Sequence, residues 1–148
     1  MRVSDAMTRE VRVAEPGQSI REVAKIMDEI NAGSMPVGEN DRLVGMITDR
    51  DIAIRAVAQG KGPDTPVREV MSSEKVLYCY EDDELSSVAK NMSDEQVRRL
   101  PVVNREKRLV GIVSLGDVAQ NETRSANKAV KGVSKPGGQH NQSQGARA

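Results

Sequence analysis

The decapeptide RLVGMITDRD at residues 42–51 returns 66 positions later as RLVGIVSLGD at residues 108–117. A chain of 148 residues that writes one apolar phrase twice must fold as two like units, because each copy has the same face to bury. The duplication reaches well beyond that phrase. Val3 to Met7 (VSDAM) matches Val67 to Met71 (VREVM) at an offset of 64. Ile20, Val23, Ala24 and Met27 match Leu85, Val88, Ala89 and Met92 at 65, as Pro36-Val37 matches Pro101-Val102. Offsets that drift by one residue at turns are those of duplicated units whose loops changed length. The expected division is therefore a first unit over residues 1–62, a second over 63–122, and a remainder over 123–148.

Within each copy the apolar period switches in a fixed order. Val11 to Val13 and Val76 to Tyr78 have the composition of short strands, each followed by turn or charged residues, Pro16-Gly17 in one copy and Glu81-Asp82-Asp83 in the other. Ile20, Val23, Ala24, Met27 and Leu85, Val88, Ala89, Met92 then recur at i, i+3, i+4, i+7, the stripe of an amphipathic helix. Ser19 with Glu22 predicts a capping box at the first helix's start, and Gly33 suits its end. Met35-Pro36-Val37 and Leu100 to Val103 read as strands with proline near the start, where a missing N–H costs least. Leu43 to Ile47 and Leu109 to Val113 are continuous apolar runs that read as buried strands, each followed by a second helix, the first ending near Gly60. The fold class is α/β (α+β), two tandem β-α-β-β-α units.

Gly60 to Pro66 (GKGPDTP) is the linker. Beyond Glu122 the chain fills with Ser, Gly, Gln, Asn and Lys and loses its period, so residues 123–148 are expected to be a disordered, polar, basic tail.

Charge and composition exclude several classes of function. Every acid precedes Thr123, so residues 1–122 carry 17 basic and 22 acidic groups, a net −5, and the tail carries +5. The folded part therefore has no general attraction for nucleic acid or an anionic membrane, and nucleic acid is not its expected partner. Cys79 is the single cysteine, which leaves no intrachain disulfide and no thiol set for zinc and suits a reducing cytoplasm. No apolar run approaches the ~18 residues of a membrane span, and MRVSDAMTRE lacks the apolar segment of a signal peptide, so the expected location is cytoplasmic. Phe and Trp are absent, which leaves the core to Val, Ile, Leu and Met.

The repeated phrase ends in a hydroxyl residue with an aspartate three positions on: Thr48 and Asp51, Ser114 and Asp117. The local reading is a helix start, with the hydroxyl as N-cap and the carboxylate at N3. The same place can also bind: N–H groups at a strand end attract anions, and a carboxylate accepts both hydroxyls of a ribose. One motif can do both.

On these residues the chain resembles the cystathionine-beta-synthase (CBS) domains, which occur as tandem pairs. The resemblance covers roughly residues 3 to 120. It rests on the apolar-Pro-Val strand (MPV, LPVV), the Leu-Val-Gly-apolar-apolar strand and the Thr/Ser-x-x-Asp ending, each present twice and in order. It implies a pseudo-twofold CBS pair, similar to small stand-alone bacterial proteins, with two clefts that take an adenosyl ligand: AMP, ADP, ATP, NAD or S-adenosylmethionine. It further implies that Asp51 and Asp117 hold the ribose diol beside Thr48 and Ser114. Val13, Ala14, Met35, Pro36, Tyr78, Cys79, Leu100 and Pro101 would enclose the base.

The copies differ where phosphate would sit. Arg98-Arg99 precede the second Pro-Val strand, a placement that in the family serves phosphate, where the first copy has Gly33-Ser34. Conversely Arg50 stands where the second copy has Gly116. The two sites are therefore expected to be unequal.

Catalytic and metal readings find less. Asp49 and Asp51, two apart at a helix start, fit dipole compensation better than acid–base work or magnesium. His140 has no Cys or acidic neighbours, and Cys79 has no histidine to activate it. The expectation is a non-enzymatic, ligand-sensing regulatory module of the energy or stress type, needing no cofactor. It would be a homodimer of CBS pairs through apolar residues of the second helices (Ala53, Val57, Val118, Ala119), with output through an unknown downstream protein. The alternative is a dimerising scaffold whose ligand sites are vestigial.

Overall fold

The structure, a computed structural model, describes residues 1–74, 76–121 and 133. Its elements run α1 (Val3–Ala6), α2 (Ile20–Ile30), β1 (Ser34–Glu39), β2 (Arg42–Thr48), α3 (Asp49–Asp51), β3 (Cys79–Tyr80), α4 (Leu85–Glu95), β4 (Arg99–Val103), β5 (Leu109–Ser114) and α5 (Leu115–Asn121). A π-helical turn (Ile52–Ala56) and a 3-10 turn (Val57–Gln59) continue α3, and a 3-10 turn (Val67–Glu69) follows the linker. The β-α-β-β-α order expected from the repeats is found in the second repeat, while in the first the leading strand is reduced to one bridge, and the architecture is mixed α and β.

Two compact units result, and they are not the sequence repeats 1–62 and 63–122. One comprises Arg12–Val76 with Lys107–Leu109; the other comprises Met1–Val11, Leu77–Glu106 and the chain from Val110 onward. The difference lies in the paired VSDAM and VREVM segments, each of which docks where its own repeat does not continue. Val67 N–H bonds the carbonyl of Gln18 and Arg68 N–H that of Pro16, while Ser72 and Met46 exchange both backbone bonds at 2.8 and 2.9 Å. At matched positions Val3 N–H bonds Asp83 O, Ser4 N–H bonds Glu81 O, and Thr8 and Ile112 exchange bonds at 2.9 Å. Residues 67–72 thus edge the sheet of the first repeat, and residues 1–8 edge that of the second.

The glycine inside each LVG is set by this docking. A Cβ at Gly45 would lie 2.9 Å from Met71 Sδ and 2.9 Å from Ser72 O, and one at Gly111 would lie 2.7 Å from Met7 Sδ and 2.8 Å from Thr8 O. The proline of the first apolar-Pro-Val strand is placed to suit its missing donor. Pro36 pairs with Met46, whose backbone groups are spent on Ser72, so β2 offers nothing for the missing N–H to bond.

Each unit has its own core. In the first, Ile20, Val23 and Met27 from α2 pack with Met35, Val37, Ile47, Val67 and Val70. In the second, Val3, Leu85, Val88, Met92, Leu100, Val102, Val113 and Val118 do the same work. The helix stripes are as the spacing predicts, with one exception: Ala89 is buried and its counterpart Ala24 is exposed.

Several local expectations shift. The strands expected at Val11 to Val13 and Val76 to Tyr78 form slightly later, as a single bridge Ala14–Val37 and as β3. Gly33 does not end α2: Asn31 takes the left-handed conformation there (φ 53°), as Gln96 does after α4 (φ 57°). Gly60 does end its helix, with φ 77°. Val118, expected on the dimer surface, is fully buried, because α5 turns that residue into its own core. The tail expected to be disordered, 123–148, lies outside the described residues except at Val133, which is helical and only 6 % exposed; there the chain is packed, unlike an unstructured tail.

Candidate functional site

The two hydroxyl-x-x-Asp turns have one geometry. Thr48 Oγ1 accepts the Asp51 N–H at 3.0 Å, and Asp51 Oδ2 accepts the Thr48 N–H at 2.9 Å. In the second repeat Ser114 Oγ accepts the Asp117 N–H at 3.1 Å and Asp117 Oδ2 accepts the Ser114 N–H at 2.9 Å. Both are reciprocal capping boxes, so the local reading holds. The box also fixes each carboxylate. It uses Oδ2 and leaves Oδ1 to its surroundings.

Those surroundings differ. Asp51 Oδ1 faces the Arg55 guanidinium at 3.8 Å, and Arg55 is itself anchored on the carbonyls of Val70 and Met71 at 3.4 and 3.2 Å. The residue matched to Arg55 is Asn121, whose Nδ2 donates to the backbone carbonyl of Asp117 at 2.6 Å. Among the described residues no cation pairs with Asp117.

The segment before each Pro-Val strand is brought against its turn by one backbone bond. Leu115 N–H donates to Arg98 O at 2.8 Å, and Asp49 N–H donates to Gly33 O at 2.9 Å. Arg98 and Arg99 are exposed and form no ion pair among the described residues. Arg50 is exposed at the start of α3. Gly33 lies against Asp49: a Cβ there would come 2.9 Å from Asp49 Oδ2, the tip of an exposed side chain that can swing aside. The sequence reading missed this pair. Its signal is the joint change from Gly33 and Asp49 to Arg98 and Leu115 at matched positions of the repeat.

The residues expected to enclose a base divide by burial. Ala14, Met35, Pro36, Cys79, Leu100 and Pro101 are buried, while Val13 and Tyr78 are 37 % and 38 % exposed. Ala14 N–H bonds Pro36 O, and Gly38 N–H bonds Ala14 O, which ties the bridge to β1. Cys79 Sγ donates to Pro101 O at 3.9 Å, and burial, aided by the charge of Asp83, pushes its thiol up from 9.0 to about 12. Tyr78 meets Tyr80 edge-on at 5.7 Å, and Arg105 lies 4.1 Å over the Tyr80 ring while pairing with Asp82 at 2.8 Å. That pair holds the Asp82 carboxyl below its ordinary range.

Elsewhere, a cavity of about 420 Å³ opens on the helical side of the first repeat, lined by Ile20, Ala24, Ile52 and Val57 with Arg21, Lys25, Asp28 and Lys61. None of the expected site residues borders it. Among the described residues no group of three or more His, Cys, Asp or Glu could hold a metal, and no helix is long and apolar enough to cross a membrane.

A duplicated β-α-β-β-α chain with a capped carboxylate at the end of each inner strand defines a class, and the comparisons give that class its name. Residues 3–57 and 67–122 each match the CBS domain, and the chain belongs to that family. It is 45 % identical over 134 residues to the CBS domain-containing protein YhcV of Bacillus subtilis, covering 89 % of this chain and 94 % of that one. Its fold is similar to the crystal structure of Hypoxic Response Protein I with two coordinated zinc ions, at TM-score 0.73 and 33 % identity, over 82 % of this chain and 98 % of that one. It is also similar to the CBS domain pair of protein MJ0100 in complex with 5′-methylthioadenosine and S-adenosyl-L-methionine, at TM-score 0.69 and 33 % identity, over 81 % and 94 %.

Proposed function

We propose that the chain is a non-enzymatic regulatory module that binds an adenosyl compound at its Thr48–Asp51 and Ser114–Asp117 turns and reports energy or stress status to another protein. The observation that carries this reading is the carboxylate held rigid by its own cap at 2.9 Å in both repeats, with its second oxygen turned away from the cap. A fixed acceptor with one oxygen to spare suits a vicinal diol, because no rotamer entropy is lost when the hydroxyls arrive. The adenosyl compounds in the MJ0100 structure support the same ligand class. Binding rather than catalysis fits Cys79, whose buried, protonated thiol is the opposite of an activated nucleophile. One buried cysteine also suits a reducing cytoplasm.

A thermal-shift panel of AMP, ADP, ATP, NAD and S-adenosylmethionine tests the reading. A ligand at about 100 times its Kd adds roughly 2.7 kcal/mol to the folded state and raises Tm by several degrees. No shift with any of the five at millimolar concentration rejects it.

A second reading, a dimerising scaffold, is favoured by the apolar residues left in solvent on the first repeat's helices. Val57 is 69 % and Ile54 46 % exposed, and Ala24 and Ala53 are exposed nearby. Both readings include a homodimer through this surface. Light scattering at micromolar concentration should give twice the chain mass, and a monomer mass would remove the dimer from both.

A further inference from the structure

Resting on that reading, the guanidinium of Arg55 carries one step more. Its Nε faces Asp51 Oδ1 at 3.8 Å, an ion pair too long to be a hydrogen bond, while its Nη1 donates to the carbonyls of Val70 and Met71 at 3.4 and 3.2 Å. An arginine four residues after an aspartate on a helix would ordinarily close on the carboxylate. Here it is drawn the other way, by carbonyls just past the 3-10 turn Val67–Glu69, where a cation satisfies acceptors that the turn leaves over. Those carbonyls belong to the segment that edges β2: Val67 and Val70 are fully buried, and Ser72 exchanges both backbone bonds with Met46. Arg55 stands in the π-helical turn Ile52–Ala56, beside the fully buried Ala56. The matched stretch of the second repeat is plain α-helix, and Asn121, at the place of Arg55, spends its side chain on the Asp117 carbonyl.

We infer that Arg55 is a positioning residue for the first turn: the docked residues 67–72 hold its guanidinium off Asp51, which keeps Oδ1 open to a ribose hydroxyl, so that diol binding at Asp51 and docking of this edge strengthen each other. The opposite arrangement follows from the same contacts. When the edge frays, the carbonyls of Val70 and Met71 leave, and the exposed guanidinium closes on Oδ1 and takes the acceptor that the diol needs. The ligand then has different affinities for the two arrangements, which is the condition for shifting the balance between them. The coupling is reciprocal, so the ligand holds the edge as strongly as the edge favours the ligand. In the second repeat Thr8 and Ile112 exchange the same backbone bonds, but among the described residues no side chain joins Asp117 to residues 1–8. The device belongs to the first repeat alone, on the segment through which the chain continues into the second.

Residue-resolved amide hydrogen exchange on the full chain, with and without adenosine, tests this. At adenosine concentrations that calorimetry shows to be saturating, exchange at the Ser72 and Met46 amides should slow about fivefold or more, the low end of coupling between sites, while the matched Thr8 and Ile112 amides change by less than about twofold. Arg55→Met keeps the length of the stem and removes the donors, so in that variant saturating adenosine should no longer slow exchange at Ser72. An Arg55 that only props the helix would alter the basal exchange and leave the response to ligand in place. An equal response at both edges, no response at Ser72 with adenosine bound, or a full response in Arg55→Met overturns the inference while leaving adenosyl binding intact. Loss of adenosine binding in Arg55→Met also overturns it, because removing a rival for Oδ1 cannot abolish binding. Absence of adenosine binding by the wild type overturns the functional reading and the inference together. The comparison of the two edges needs no variant, so a poorly folded Arg55→Met does not rescue the idea.

Discussion

The turns Thr48–Asp51 and Ser114–Asp117 share a cap to within 0.1 Å in each bond, yet one carboxylate faces Arg55 and the other pairs with no cation among the described residues. What the repeats hold in common is what ends a buried strand and starts a helix. What they do not share is the charge that a ligand would meet. Duplication has kept the scaffold and let the surroundings diverge, so the difference is the better guide to ligand choice than the motif.

Four experiments break or sharpen that comparison. The largest effect is expected at the carboxylates. Asp117→Ala removes charge-assisted hydrogen bonds worth roughly 1.5 to 3 kcal/mol and should weaken AMP about ten- to a hundredfold, while Asp51→Ala should change AMP affinity far less. Equal losses measured by calorimetry would mean the surroundings do not matter.

Next come the paired glycines. Gly45→Ala and Gly111→Ala both push a methyl group into a backbone carbonyl less than 3 Å away, and overpacking of this kind costs about 1 to 3 kcal/mol. Denaturant unfolding should find similar losses at both, because edge docking belongs to the shared scaffold. A loss at one glycine only would show that the docked segments are not equivalent.

Smaller is the cap. Thr48→Ala and Ser114→Ala should each cost about 1 kcal/mol of stability, alike in the two repeats. Melting temperatures that differ clearly would mean that one hydroxyl has further work.

The smallest effect at moderate pH comes from Cys79, which stands where the first repeat has Ala14. Its folded pKa is raised to about 12 from 9.0, so the unfolded chain loses the proton first. The stability contribution is therefore complete below pH 9 and is lost as pH rises toward 12, amounting to about 1 kcal/mol by pH 10. Cys79→Ala should flatten this alkaline slope relative to wild type in pH-dependent melts. An unchanged slope would show that the thiol is not buried in solution.

Much of this was legible in the sequence. The two amphipathic stripes predict α2 and α4, and the apolar runs predict β2 and β5 almost to the residue, because periodicity reports burial on one face directly. The Thr48–Asp51 and Ser114–Asp117 boxes were legible for the same reason, since their hydrogen bonds span three residues, whereas of the box expected at Ser19 only the half in which Ser19 Oγ accepts the Glu22 N–H forms. Less legible were features whose partner is distant in sequence. Gly33 looked like a helix end, since left-handed ends favour glycine, but Asn31 took that role and Gly33 instead lies against Asp49, sixteen positions later. Val118 looked free because its spacing in a short helix does not say which side faces the core.

The sequence by itself determined that there are two copies, the order of elements in each, and where every inner strand stops, all of which follow from local spacing. Only the tertiary structure decided that residues 1–8 edge the second repeat and residues 67–72 the first. Either VxxxM segment matches either edge, since Gly45 and Gly111 leave the same space for a methionine and a backbone carbonyl. Chain reach then selects: residues 67–72 follow the first repeat directly and fold back onto it, leaving the other edge to the amino-terminal segment. The same holds for the hydroxyl-x-x-Asp turns. Their caps are local and were written twice, as is the i,i+4 pairing of Asp51 with Arg55, but the anchoring of Arg55 on the carbonyls of Val70 and Met71 and the approach of Asp49 to Gly33 exist only once distant segments are packed, because those groups meet through space and not along the chain.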